Sequence, residues 1–280
     1  MKTALGKIIH KLRKVDPLTG FPECMLIGYS NVSSQSEHIA RYLFARSYAK
    51  GSILDLAASS CYGSSILASN GSNYVVSADL NADALLYGKT VFPRKNREAV
   101  RCDAGHLPFK IAAFDAIVSI ETIEHLQNQA MFLKSVRRVL KPLGLIILST
   151  PNKIVSCPIL QTPINPYHNK EYGLKEISSL FEGLGLKIVR VFFQTRTSII
   201  NFLARVPSVF LASLFVKLRI GIMPLRYVSK VFYIQQTQPL DPNPSIYPIC
   251  RYTKLADCFV NFQMIIIARN PLSEESNCEF

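Results

Sequence analysis

Five side chains stand where an α/β sheet would offer them to a ligand: Asp79, Asp103, Glu121, His125 and His168. Asp79 follows the apolar run Tyr74–Ala78, Asp103 follows Ala99–Arg101, and Glu121 follows Ala116–Ile120. In an open parallel sheet, ligands sit beyond the carboxyl ends of the strands. An ionised carboxylate there accepts hydrogen bonds from paired hydroxyls. An imidazole removes a hydroxyl proton near neutral pH, which makes His125 a candidate general base and His168, in NPYHNKEY, a second. Glu121 lies beside His125 at the exit of the same strand. Each has a plainer reading. Asp79 could cap the helix that follows it, Asp103 could hold a turn, and His125 could brace its own loop. His106 reads as a loop residue.

The second chemical signal is Ser52 to Leu67, SILDLAASSCYGSSIL. A short strand carrying Asp55 runs into small residues and then into an apolar helix. In nucleotide-binding α/β domains such a turn lets the ligand approach the backbone, and glycine is usual there. Ala57, Ser59 and Cys61 hold the expected glycine positions here, and only Gly63 remains. Glycine adopts a positive φ at no steric cost. Serine and cysteine should cost about one or two kcal/mol, a loss of roughly ten- to thirtyfold in binding.

These groups need a scaffold of alternating strands and helices. A helix is expected over Glu37–Ala49 and a strand over Ser52–Leu56. A second strand, Tyr74–Ala78, leads to a helix over Ala82–Lys89. Ala99–Arg101 and Ala116–Ile120 are the third and fourth strands. A helix over Gln127–Leu140 should stop at Lys141-Pro142 and Gly144, before a fifth strand, Leu145–Ser149. A helix over Leu174–Leu184, a strand over Lys187–Phe193 and a last strand over Phe262–Ala268 complete the series. Alternation of this kind implies parallel β-α-β units. The organisation reads as a basic helix and loop over 1–36, a core over 37–194 and 259–270, an apolar insertion over 195–258, and a polar tail over 271–280.

The chain has 280 residues, 49% of them hydrophobic, enough for one large α/β core. Its formal charge of +13 favours an anionic partner or a basic solvated surface. Seven scattered cysteines form no CxxC pair, so no zinc or disulfide framework is read from spacing, and a reducing cytoplasm is expected. No signal peptide is apparent. Residues 3–15 place Leu5, Ile8, Ile9 and Leu12 on one helical face among basic residues. That helix either packs on its own domain or lies on an anionic membrane. Residues 198–222 form an apolar stretch too short of uncharged positions to span a bilayer. It reads as a lid, a membrane contact or buried helices. Nucleic acid is not expected as a partner, because no aromatic-basic module is present. Oligomeric state is not read from the sequence.

Six segments in order give the chain a family resemblance. LDLAASSCYGSS, SADLNADAL, CDAGHLPF, FDAIVSIETIEHL, VRRVLKPLGLIILSTPN and NPYHNKEYGLKEISSLF resemble the successive motifs of class I S-adenosylmethionine-dependent methyltransferases of the type 11 group. The last segment, with EHIARYLFA, resembles the branch associated with cell-surface glycans and lipid-linked sugars. The resemblance implies a Rossmann-like, mostly parallel seven-stranded sheet with helices on both faces and an antiparallel last strand. It implies S-adenosyl-L-methionine as cofactor and a small-molecule, sugar or lipid-linked glycan as acceptor. It assigns the cofactor to Asp55, Ala57, Ser59, Cys61, Tyr62, Gly63, Asp79, Leu80, Asp103, Ala104 and Glu121. Asp79 would take the ribose hydroxyls, Asp103 with the Ala104 backbone the adenine amino group, and the 57–63 loop the methionine moiety, with Tyr62 beside it or in the core. Glu121, His125 and His168 would face the acceptor. No metal set is visible, so a metal-independent mechanism is expected. A non-catalytic scaffold that has lost its glycine loop is the other reading.

Overall fold

The computed structural model describes residues 7, 24–26, 32–157, 162–163, 165, 167–194, 249–251 and 263–271. The basic stretch 1–15, apart from residue 7, and the apolar stretch 198–222 lie outside them. Helix α1 (Val32–Tyr48) leads into β1 (Ser52–Leu56), α2 (Tyr62–Leu67), β2 (Tyr74–Asp79), α3 (Ala82–Val91) and β3 (Arg97–Arg101). Then follow β4 (Phe114–Ile120), α4 (Gln129–Val139), β5 (Leu140–Pro151), the single turn α5 (Lys153–Ser156), α6 (Leu174–Gly183), β6 (Lys187–Gln194), β7 (Ile249–Arg251) and β8 (Gln263–Arg269).

The strands form one sheet in the order β3-β2-β1-β4-β5-β8-β6-β7. β1 pairs parallel with β2 and β4, and β5 parallel with β4. β8 runs antiparallel between β5 and β6. The expected seven strands are present, and an eighth, β7, pairs antiparallel outside β6. Its residues fall in the stretch assigned to the insertion.

Period-two alternation divides the core. Leu54, Val76, Ile146 and Ile266 enter one apolar cluster with α4 and α6. Their neighbours Ile53, Val75, Ile147 and Ile265 enter another with α1 and α2. Both faces are covered, which explains strands apolar at nearly every position.

Boundaries differ from the sequence expectations for local reasons. α1 begins at Val32, five residues early, inside a stretch whose Ser and Asn content suggested loop. α4 stops at Val139 and β5 begins at once, running 12 residues through Pro142 and Gly144. That segment makes a register shift against β4 between Phe114 and Ala116, and Leu143 there takes a positive φ of 63°. Asn81 caps α3 by accepting from the Asp83 and Ala84 amides. The cap is therefore Asn81, and Asp79 is released from that duty.

Gly63 is the remaining glycine of the turn, and its task is packing. A Cβ there would lie 2.1–2.3 Å from carbons of the Tyr42 ring. α1 and α2 approach this closely because position 63 has no side chain. Gly63→Ala should therefore cost about 2–3 kcal/mol by overpacking, read as a lower midpoint in urea unfolding.

Candidate functional site

The turn between β1 and α2 lies where the strand order reverses, between β1 and β4. Ala57, Ser59 and Cys61 have φ of 61°, 48° and 58°, so all three adopt the left-handed conformation that glycine favours. Each such residue costs on the order of 1 kcal/mol, and surrounding contacts must hold it. They do. The Ser59 amide donates to Asp79 Oδ2 at 2.7 Å, Cys24 Sγ lies 2.9 Å from Ser59 Oγ, and the Ser60 hydroxyl donates to the Met25 carbonyl.

Cys61 is fully buried and turns away from the open side. A Cβ on Gly88 of α3 would meet Cys61 Cβ at 2.5 Å and the Ser60 carbonyl at 2.5 Å. The bare helix position at 88 is the space that the Cys61 side chain occupies. The penalty at Cys61 is thus conformational, with its bulk housed inside the protein. A glycine in the middle of ADALLYGKTV is the one sequence signal of this arrangement.

Beneath the turn lies a buried polar chain. Asp55 has no solvent exposure; it accepts from the Tyr42 hydroxyl at 3.0 Å and from Ser64 Oγ. Ser77 Oγ donates to Ser64 Oγ at 2.7 Å, and Arg97 Nη1 donates to Ser77 at 3.2 Å. Burial pushes the Asp55 carboxyl up to about 6, against the pull of Ser64, Tyr42 and Arg97. Among the residues assigned to the cofactor, Asp55 and Gly63 therefore lie beneath the turn as its support. Tyr62 is also buried, bonded to His38 Nδ1 at 3.0 Å and edge-on to Tyr42.

On the open side, Asp79 Oδ2 takes the Ser59 amide and Oδ1 the Asn81 amide at 2.8 Å. Each oxygen keeps a lone pair. Burial raises its pKa, and backbone donors led by Asn81 oppose that rise. Leu80, next along, is 64% exposed, an apolar surface beside the carboxylate. Asp103 is exposed and closes a turn onto the Gly105 amide at 2.7 Å, with Ala104 between them.

Beyond β4 the acidic and imidazole candidates come together. Glu121 has φ 53° and accepts from Ser149 Oγ at 2.7 Å. The 167–172 segment is fastened over this exit: the Asn169 and Lys170 amides both donate to the Glu124 carbonyl, and Asn169 Nδ2 donates to the His125 carbonyl. The rings of His125 and His168 meet edge to face, 4.8 Å between centroids. His125 Nδ1 lies 3.2 Å from the Tyr167 carbonyl, and His168 Nδ1 lies 2.5 Å from Glu171 Oε1. Surrounding protein first, and His168 second, pull the His125 pKa down to about 4. The ring keeps one side toward solvent, and His125 is a neutral imidazole near pH 7.

The sequence reading missed Glu124, Glu171, Tyr42, Ser64, Arg97, Cys24 and Gly88. Glu171 stands three residues after His168 and Glu124 immediately before His125, spacings that could have drawn attention to both. The others are visible only in three dimensions. A separate surface groove of about 810 Å³, near Arg137, Arg138 and Asn270, opens at the opposite edge of the sheet.

A mostly parallel sheet of this order, with a tight turn at its reversal point and acidic strand ends, is the fold of a class I methyltransferase. Residues 54–148 match the family model described as a methyltransferase domain, type 11. It is 33% identical over 133 residues to a Mycobacterium tuberculosis protein named probable S-adenosylmethionine-dependent methyltransferase, covering 48% of this chain and 47% of the relative. The chain thus spans about half the length of that relative. A Mycolicibacterium smegmatis protein of the same name is 28% identical over 184 residues, 66% of this chain and 70% of the relative. In fold it is similar to phosphoethanolamine N-methyltransferase 2 of Haemonchus contortus, solved with phosphomonomethylethanolamine and S-adenosylhomocysteine: TM-score 0.55, 15% identity, 84% of this chain and 53% of that one.

Two outcomes are expected. Ala57→Gly should relieve a left-handed alanine and raise stability by about 0.5–1 kcal/mol, a rise in Tm of roughly 2–3 °C by thermal unfolding. The Asp55 pKa is raised on folding, so its contribution to stability is present at low pH and lost as pH rises through about 6. Tyr42→Phe withdraws a donor from that carboxylate. Its cost should be about 2 kcal/mol at pH 8 and about 1 kcal/mol at pH 5, compared by urea unfolding.

Proposed function

We propose that this chain binds S-adenosyl-L-methionine across the 57–63 turn and transfers its methyl group to a small-molecule acceptor, specifically a sugar or lipid-linked glycan. The observation that carries the cofactor half is Asp79. With Asn81 capping α3, the carboxylate braces the turn and keeps lone pairs for the ribose hydroxyls. Leu80 offers an apolar surface for the adenine, and Asp103 with Ala104 stands beside it for the amino group. Turn backbone at Ala57–Cys61 receives the methionine moiety.

Methyl transfer requires mainly that the nucleophile be held in line behind the sulfonium methyl. Glu121, His125 and His168 form the acceptor side of that line, and a neutral His125 can remove a hydroxyl proton. The glycan assignment rests on the NPYHNKEYGLKEISSLF segment, whose His168 reaches this cluster. Peripheral membrane contact through 1–15 and 198–222 would suit a lipid-linked acceptor, and the net charge of +13 would suit anionic lipid.

The second reading, a methyltransferase-like scaffold, is favoured by the three strained non-glycine residues in the turn. Calorimetric titration with S-adenosylmethionine separates the two. Micromolar binding by the native chain, weakened at least tenfold in Asp79→Ala, supports the enzyme. No heat up to millimolar cofactor, from protein shown to be folded by circular dichroism, leaves the scaffold.

A further inference from the structure

Glu124, His125 and His168 present one ligand-type atom each, all within 4.8 Å of one another. We propose that these three side chains form a binding site for a divalent cation of the zinc class. Two imidazoles and one carboxylate, with a fourth position left for water or an acceptor oxygen, are the ligand set of an open zinc centre.

Three independent features support the assignment. Glu124 is fully buried; its Oε2 takes the Thr150 hydroxyl at 3.0 Å, and its Oε1 has no hydrogen-bond partner among the described residues. A buried carboxylate oxygen without a donor is costly, and a cation removes that cost. Each ligand also has an outer partner that fixes its orientation, as metal ligands characteristically do. Thr150 holds Glu124, the Tyr167 carbonyl holds His125 Nδ1, and Glu171 holds His168 Nδ1. Glu171 is itself seated by the Ser156 hydroxyl. These bonds leave Nε2 of His125 as its open nitrogen. Nε2 of His168 rests against the Asn165 amide at 2.9 Å, a neutral bond that a cation would displace. Finally, the two segments that contribute ligands are already fastened by the paired amides on the Glu124 carbonyl, so little order remains to be imposed on binding.

Tetrahedral ligands at about 2.1 Å from zinc are roughly 3.4 Å apart. The cluster therefore closes by up to about 1.4 Å, within reach of small side-chain rotations. A cation held by Glu124, His125 and His168 would occupy the lone pair that His125 uses for proton removal and would supply Lewis-acid polarisation at its fourth position. The site needs no S-adenosylmethionine, so its test stands apart from that of the methyl-transfer reading.

The full chain, stripped with chelator and then titrated with Zn²⁺, should bind one equivalent. Co²⁺ in its place should give a tetrahedral visible spectrum without the intense thiolate band that the cysteines would produce. His125→Gln and His168→Gln, each shown to be folded by circular dichroism, should each weaken Zn²⁺ binding at least a hundredfold. Glu171→Gln should weaken it ten- to a hundredfold through the outer shell. Absence of Zn²⁺ uptake by the folded native chain overturns the proposal. So does affinity unchanged in His125→Gln, or a cobalt spectrum dominated by thiolate.

Discussion

A carboxylate without access to water governs the architecture at the carboxyl end of β1. Burying a charge is tolerable only where donors surround it. Asp55 draws those donors from two helices, Tyr42 on α1 and Ser64 on α2, and through Ser77 it reaches Arg97 at the start of β3. The one network therefore ties β1 to both helices of one face and to the two strands on one side of it, β2 and β3. It sets the height from which the chain leaves β1, and so the position of the turn above. Gly63 belongs to the same constraint, because the Tyr42 hydroxyl reaches Asp55 only by passing over a residue with no Cβ.

Above this platform, the turn keeps a backbone course that glycine would follow freely and builds it from alanine, serine and cysteine. The strain is held by contacts packed against the turn: Cys24 and Met25 against Ser59 and Ser60, and the bare backbone of Gly88 against Cys61. A glycine has in effect been moved from the loop to the helix it touches. The open side of the turn is left to its backbone and to Asp79.

The series of strands and the strand-end acids were legible because, in an α/β chain, an apolar run that closes on an acid is the pattern of a buried strand emerging at its carboxyl end. Asp79, Asp103 and Glu121 lie at the same edge for that reason. The reading failed where a local signal met a tertiary partner. Pro142 and Gly144 looked like punctuation, but β4 and β8 on either side draw that stretch into β5. Asp79 was read as a possible cap, but Asn81 takes that place by accepting from the Asp83 and Ala84 amides, and Asp79 takes the Ser59 amide instead. Asp55 and Gly63 have the residue types of a cofactor turn, and their depth beneath it is set by Tyr42, thirteen residues from Asp55 and on another helix. The His125–His168 pair joins segments far apart in sequence, so no spacing rule could bring the rings together.

The short strand β7 has a consequence for how this fold tolerates change. Gln194, the last residue of β6, pairs directly with Ile249, the first of β7. Residues 195–248 are therefore held at both ends across a single rung of the sheet. The entropy of closing such a loop rises only with the logarithm of its length, about 0.6 kcal/mol for each doubling. A longer or shorter connection between those two residues would change this closure cost by only about a few tenths of a kcal/mol. The rung works as a socket, set by β6 and β7 and nearly indifferent to the length of chain that joins them.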